Sequence, residues 1–200
     1  SGQGHRRTGA PGVRSQPGRL RIIGGTHGGR RIEIPPGSDA RPTGDRVREA
    51  LFSILASGIG DTQGLDDARV LDACAGSGAL GIEALSRGAA HAVFFDIDRP
   101  ARVQIGANLD ALGLSERADV QRMDATKPPA GTACDIVFLD PPYDSEVAQA
   151  APAALAENGW IAPGGLIVIE TRSGKEIDCG PGFETIDTRS YGDTSLHFVT

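Results

Sequence analysis

Three glycines, Gly76, Gly78 and Gly81, follow a predicted strand at residues 69–73 and open a helical pattern at 79–87, with Ser77 inside the loop. A glycine loop that leaves a strand and opens a helix brings backbone amides close to a nucleoside-containing ligand. An acid about 20 residues further on, at the end of the next strand, accepts hydrogen bonds from ribose hydroxyls. Asp96 holds that place, directly after the run 92–95.

Four predicted strands end on or beside an acid: Asp72, Asp96, Asp124 and Asp140. Ligands of open α/β sheets bind outside the carboxyl ends of the strands, so these acids would line one strongly anionic rim. A dinucleotide would bring a negative pyrophosphate to that rim. S-adenosylmethionine brings a sulfonium cation and an ammonium group, and Coulomb's law favours it. Asp72 would attract the ammonium, or alternatively cap the nearby loop. Ala75, Gly76, Ser77 and Gly78 would form the loop contacts, with Ile97 and Ala125 beside the acids Asp96 and Asp124.

The segment Asp140-Pro141-Pro142-Tyr143 closes the apolar run 136–139. Pro-Pro after a strand is by itself a stop signal. On the strand after Asp124, in a sheet with a glycine loop, it matches the Asp-Pro-Pro-Tyr motif of amino-group methyltransferases. With Arg21-Ile22-Ile23-Gly24-Gly25, Arg41-Pro42-Thr43, Arg46-Val47-Arg48-Glu49-Ala50-Leu51-Phe52 and the stretch 72–86, the chain from about residue 20 onward resembles the bacterial 16S ribosomal RNA guanine-N2 methyltransferase family. One departure is Asp96, where relatives often carry glutamate.

The resemblance implies a class I, Rossmann-like fold, S-adenosylmethionine as cofactor, and small-subunit ribosomal RNA, within the subunit or an assembly intermediate, as partner. It also implies roles. The Asp140 carboxylate and the Pro141 carbonyl would accept the two hydrogens of the guanine amine and turn its lone pair toward the methyl carbon. Pro142 would stiffen the loop, and Tyr143 would stack on the extracted base.

The elements that must position these residues alternate. Strands are expected at 69–73, 92–95, near Val120, and at 135–139 and 166–169, separated by helices at 79–87, 99–112 and 145–157. Such alternation predicts a doubly wound, mostly parallel α/β sheet. Two closing strands, at 183–187 and 195–199, have no helix between them and predict a hairpin with one antiparallel member, seven strands in all. Ahead of this domain, placed at 59–200, residues 19–58 read as a separate basic unit. It comprises a hairpin at 20–23 and 30–34 with a flexible glycine tip, then a helix capped by Thr43 whose apolar face is Val47, Ala50, Leu51, Ile54 and Leu55. Arg46, Arg48 and Glu49 fall off that face. Residues 1–18 read as a disordered tail.

Charge separates the same two regions. The 200-residue chain carries a net charge of −6, but up to residue 48 ten arginines face three acids. A basic head that meets phosphate and an acidic body fit this split. Arg21, Arg30, Arg31, Arg41, Thr43, Arg46 and Arg48 are the expected RNA contacts.

The remaining composition narrows the class. Cys74, Cys134 and Cys179 lack zinc-ligand spacing and the Pro-Cys context of cytosine C5 methylation. No apolar run reaches the roughly 20 residues of a membrane helix, and a cytoplasmic monomer is expected. A DNA adenine-N6 or cytosine-N4 methyltransferase would share Asp-Pro-Pro-Tyr but usually carries a sizeable target-recognition region. A nicotinamide dehydrogenase would share the glycine loop but leave Asp72 and Asp140 unexplained.

Overall fold

The computed structural model describes residues 18–37 and 44–200. Parallel strands β3 (Arg69–Asp72), β4 (His91–Phe95), β5 (Ala118–Gln121), β6 (Cys134–Leu139) and β7 (Ile161–Arg172) form most of a seven-stranded sheet. It is completed by β8 (Thr185–Tyr191) and β9 (Thr194–Val199), in the order β5-β4-β3-β6-β7-β9-β8. Only β9 is opposed in direction to the rest of the sheet: it is antiparallel to both β7 and β8. The chain leaves β3 in one direction for β4 and returns to its other side as β6, so the sheet's switch point lies between β3 and β6.

Alternate strand residues feed two apolar layers. Val70, Phe94, Ile136, Phe138, Val168 and Phe198 pack beneath α1 (Asp45–Ser57), α2 (Ala79–Ser86) and α3 (Arg99–Leu112). Leu71, Phe95, Val137, Leu139 and Ile169 face α4 (Val147–Glu157) and Trp160. Trp160 sits edge-on to Phe95 with centroids 4.8 Å apart, and its indole N–H donates to the Pro129 carbonyl at 2.8 Å. That ring is anchored in the core.

The expected doubly wound sheet with its antiparallel closing member is present. β7 starts five residues before the apolar run that announced it, because Pro163-Gly164-Gly165 masks its first half, which joins β6 only through the pair Cys134 and Ile161. The small hairpin consists of β1 (Arg19–Arg21) and β2 (Arg31–Glu33). No helix of the described residues is long and apolar enough to cross a membrane.

Candidate active site

The three glycines of the loop after β3 have three different reasons. Gly76 has φ +55°, and a Cβ there would meet nothing within 4 Å, so the loop fronts open space. Gly78 caps α2 from the left-handed region at φ +78°. Gly81 lets α2 lie against β4, since a Cβ would come within 2.3 Å of the Phe94 ring. The loop is tied to the next strand by its own amides: Ala75 donates to the Phe95 carbonyl at 2.9 Å, and Gly76 to Asp96 Oδ2 at 2.8 Å.

Asp72 is buried and accepts the Gly81 amide at 3.0 Å. Burial pushes its carboxyl up to about 7, against the pull of that amide and with a further push from Asp96. Asp96 is half-buried and also accepts the Asp98 amide at 2.8 Å through Oδ1. Asp124 is exposed and is held below the usual carboxylate range by the Thr126 hydroxyl and amide. Cys74 lies amid all four acids: burial, then Asp72, Asp140, Asp96 and Asp124, push its thiol far up. That field disfavours a thiolate at Cys74, and burial likewise raises Cys134 and Cys179 to about 11. Ala125 is buried beside Asp124, whereas Ile97, next to Asp96, is 69% exposed and offers an uncovered apolar surface.

Asp140 follows β6 at the other side of the switch point. Asp72 pairs with Phe138 in the sheet register, and the Ala73 amide donates to the Phe138 carbonyl at 2.9 Å, so the glycine loop and Asp140 leave neighbouring strands side by side. Asp140 is half-buried, Pro141 buried, Pro142 exposed and Tyr143 41% exposed. Asp144 turns the chain at φ +64°, and the Ser145 amide donates back to the Pro142 carbonyl at 3.3 Å. Both ends of the segment are therefore fixed, one by the sheet and one by the turn.

The basic extension is docked on this domain. The expected flexible glycine tip is instead held by α2 and α3. Gly25 sits at φ +78° and a Cβ there would stand 1.9 Å from the Ser86 carbonyl oxygen, an approach only glycine permits. Thr26 donates its amide to that carbonyl at 2.8 Å, the Ser86 hydroxyl donates to the Gly24 carbonyl at 2.6 Å, and the Asn108 amide group bonds both backbone groups of Glu33. A ring nitrogen of His27 reaches the Leu112 carbonyl at 3.0 Å. Arg21, Arg30 and Arg31 are exposed on the hairpin, Arg30 donating to the Ala111 carbonyl, and Arg46 is exposed on the first turn of α1. Arg41 and Thr43 lie outside the described residues.

Arg48 corrects the expectation from sequence. It is fully buried, so it is removed from the set of RNA contacts. Its guanidinium donates to the Arg21 carbonyl at 2.9 Å and to Asp45 at 2.6 Å, and lies 4.0 Å from Glu83. Glu83, also fully buried, accepts the amides of Ile23 and Gly24 at 2.9 Å each and Arg87 Nε at 2.8 Å. Arg87 in turn lies 5.3 Å above the Phe52 ring. Sequence reading missed Glu83, Ser86 and Asn108, because each partner lies about 60 or more residues away. A glutamate inside an otherwise apolar helical stretch was the available signal.

A doubly wound sheet with a glycine loop, an acid rim and Asp-Pro-Pro-Tyr at the switch point is the architecture of class I methyltransferases. The family described as "Conserved hypothetical protein 95" matches residues 20–200, and the chain belongs to it. Two curated relatives are named ribosomal RNA small subunit methyltransferase D. The one from Haemophilus influenzae is 39% identical over 80% of this chain and 82% of its own length; that from Escherichia coli is 43% identical over 78% and 77%. Among solved structures, yhhF from Escherichia coli is 36% identical with a TM-score of 0.77, covering 91% of this chain and 97% of its own. An RNA methyltransferase from Salinibacter ruber, in complex with S-adenosyl-L-homocysteine, shares the fold at 19% identity and a TM-score of 0.61, covering 79% and 92%.

Proposed function

We propose that the chain transfers a methyl group from S-adenosylmethionine to the exocyclic N2 of a guanine in small-subunit ribosomal RNA. The observation that carries this reading is the switch point, where a glycine loop fronting open space and Asp140-Pro141 leave adjacent strands. The relatives' name supplies the ribosomal substrate. The residues present suit the cofactor: an acid rim matches a sulfonium and an ammonium, and exposed Ile97 beside Asp96 matches an adenine next to a ribose. Asp72, Ala75, Gly76, Ser77, Gly78, Asp96, Ile97, Asp124 and Ala125 would hold it. When bound, it supplies the electrophilic methyl carbon.

The chain's own groups handle the nucleophile. A guanine amine is weakly nucleophilic because its lone pair is delocalised into the ring. Asp140 and the Pro141 carbonyl accept its two hydrogens and favour a pyramidal nitrogen, with the acceptors preorganised by the two prolines. Tyr143, exposed at the rim, stacks on the base once it leaves its helix. Alignment then contributes most of the acceleration. Phosphates are held by Arg21, Arg30, Arg31 and Arg46, with Arg41 and Thr43 completing the set.

The test is incubation with radiolabelled S-adenosylmethionine and unmodified small ribosomal subunits, followed by mass spectrometry of nucleosides. N2-methylguanosine is the expected product. Label in another base, or in none despite cofactor binding, would overturn the assigned target.

A further inference from the structure

Tyr143 is gripped from two sides by residues outside the Asp-Pro-Pro-Tyr segment. Arg172, the last residue of β7, places its guanidinium carbon 4.9 Å from the Tyr143 ring centroid. The same guanidinium lies 3.8 Å from the Asp144 carboxylate. Thr194, directly opposite Arg172 in the β7 and β9 ladder, sits 3.3 Å from the Tyr143 hydroxyl through Oγ1. One cross-strand pair therefore holds the face and the hydroxyl of a single exposed aromatic ring, and ties down the left-handed residue after it.

An exposed tyrosine on a loop would otherwise sample several χ1 and χ2 wells, and each wrong one removes the surface on which a base must stack. A cation over the ring face and a bond at the hydroxyl select one orientation before the base arrives. Arg172 is itself 59% exposed, so its contact with the ring is a working surface and not part of the core. We propose that Arg172 is a positioning residue for methyl transfer: it acts through Tyr143, holding the ring in the orientation that receives the target base, with Thr194 fixing the other end. The proposal rests on the role given above to Tyr143.

Two measurements test it. The chain has only two tyrosines, so 13C-labelled tyrosine rings give resolvable signals in the free protein. Arg172→Ala should shift and broaden the Tyr143 ring signals; an unchanged ring overturns the proposal without reference to any substrate. In the methylation assay, Arg172→Ala should lower kcat/KM about fivefold by raising KM for the RNA, with cofactor affinity unchanged and partial recovery in Arg172→Lys. On a Tyr143→Ala background the same substitution should cost nothing further. An additive loss that fades with salt would make Arg172 a phosphate contact and overturn the positioning role. Full activity in Tyr143→Ala would instead overturn the stacking role on which it rests.

Discussion

Carboxylates do opposite work in two parts of this molecule. Glu83 is fully buried and surrounded by donors of its own chain: two backbone amides, Arg87, and Arg48 at 4.0 Å. Around Cys74 four acids converge instead, and Asp72 and Asp96 are met by backbone amides without an ion pair among the described residues. A negative charge compensated from within builds structure. One met by amides alone keeps an uncompensated charge that can attract a cationic ligand, and at Asp72 burial adds a raised pKa.

The comparison is broken most sharply at Glu83. Glu83→Ala removes the buried acceptor of two hairpin amides and Arg87 and leaves exposed Asp45 as the counter-charge of buried Arg48, and should cost about 3–5 kcal/mol of stability in urea unfolding. A loss below about 1 kcal/mol would show that Asp45 and the Arg21 carbonyl suffice for Arg48. Hydrogen exchange at Ile23 and Gly24 should accelerate in the same variant.

At the rim the largest effect belongs to catalysis. Asp140→Ala should lower the methylation rate by on the order of 10²–10³-fold, with cofactor affinity within about twofold, as calorimetry would register. A variant that turned over normally would remove Asp140 from the reaction.

Asp72 gives the rim a pH signature. Its carboxyl, lifted to about 7, is largely neutral at about pH 6 and ionised at about pH 8. Only the ionised form attracts a cation, so S-adenosylmethionine affinity should rise across that interval by up to about tenfold, and Asp72→Asn should flatten the profile. Stability runs the other way. The folded state holds this proton more tightly than the unfolded chain, so the contribution is full below about pH 4 and is lost as pH rises through about 7. Absence of either trend would mean that Asp72 does not carry the uncompensated charge.

The smallest effect is expected at the surface of the docked extension. Arg31→Ala should weaken RNA binding severalfold and reduce the salt slope by about one counterion, without touching cofactor affinity. An unchanged slope would take the hairpin out of the RNA interface.

Much of this was readable in the chain. α3 runs from Arg99 to Leu112 as its periodicity announced, and the alternation of strands and helices announced the doubly wound sheet. The rim was readable because its acids sit at strand ends, which topology gathers together whatever the loops do. Arg48 was not readable. A charged residue on a helix normally faces water, and two of the groups that meet this one inside, the Arg21 carbonyl and Glu83, lie 27 and 35 residues away in sequence. Likewise, Arg172 gave no signal, because a residue at a strand end meets a loop only through the third dimension.

α2 has only eight residues, a rod about 12 Å long. Its first turn begins at the glycine loop, and its last turn carries Glu83 and Ser86, which hold the hairpin. Close packing lets so short a rod move only as a unit. On the proposed function, the methyl donor and the nucleic acid would meet opposite ends of one lever, and any communication between them has this path available. Thermodynamic reciprocity then sets its form: whatever factor the methyl donor applies to the grip on nucleic acid, nucleic acid applies in return to the grip on the donor.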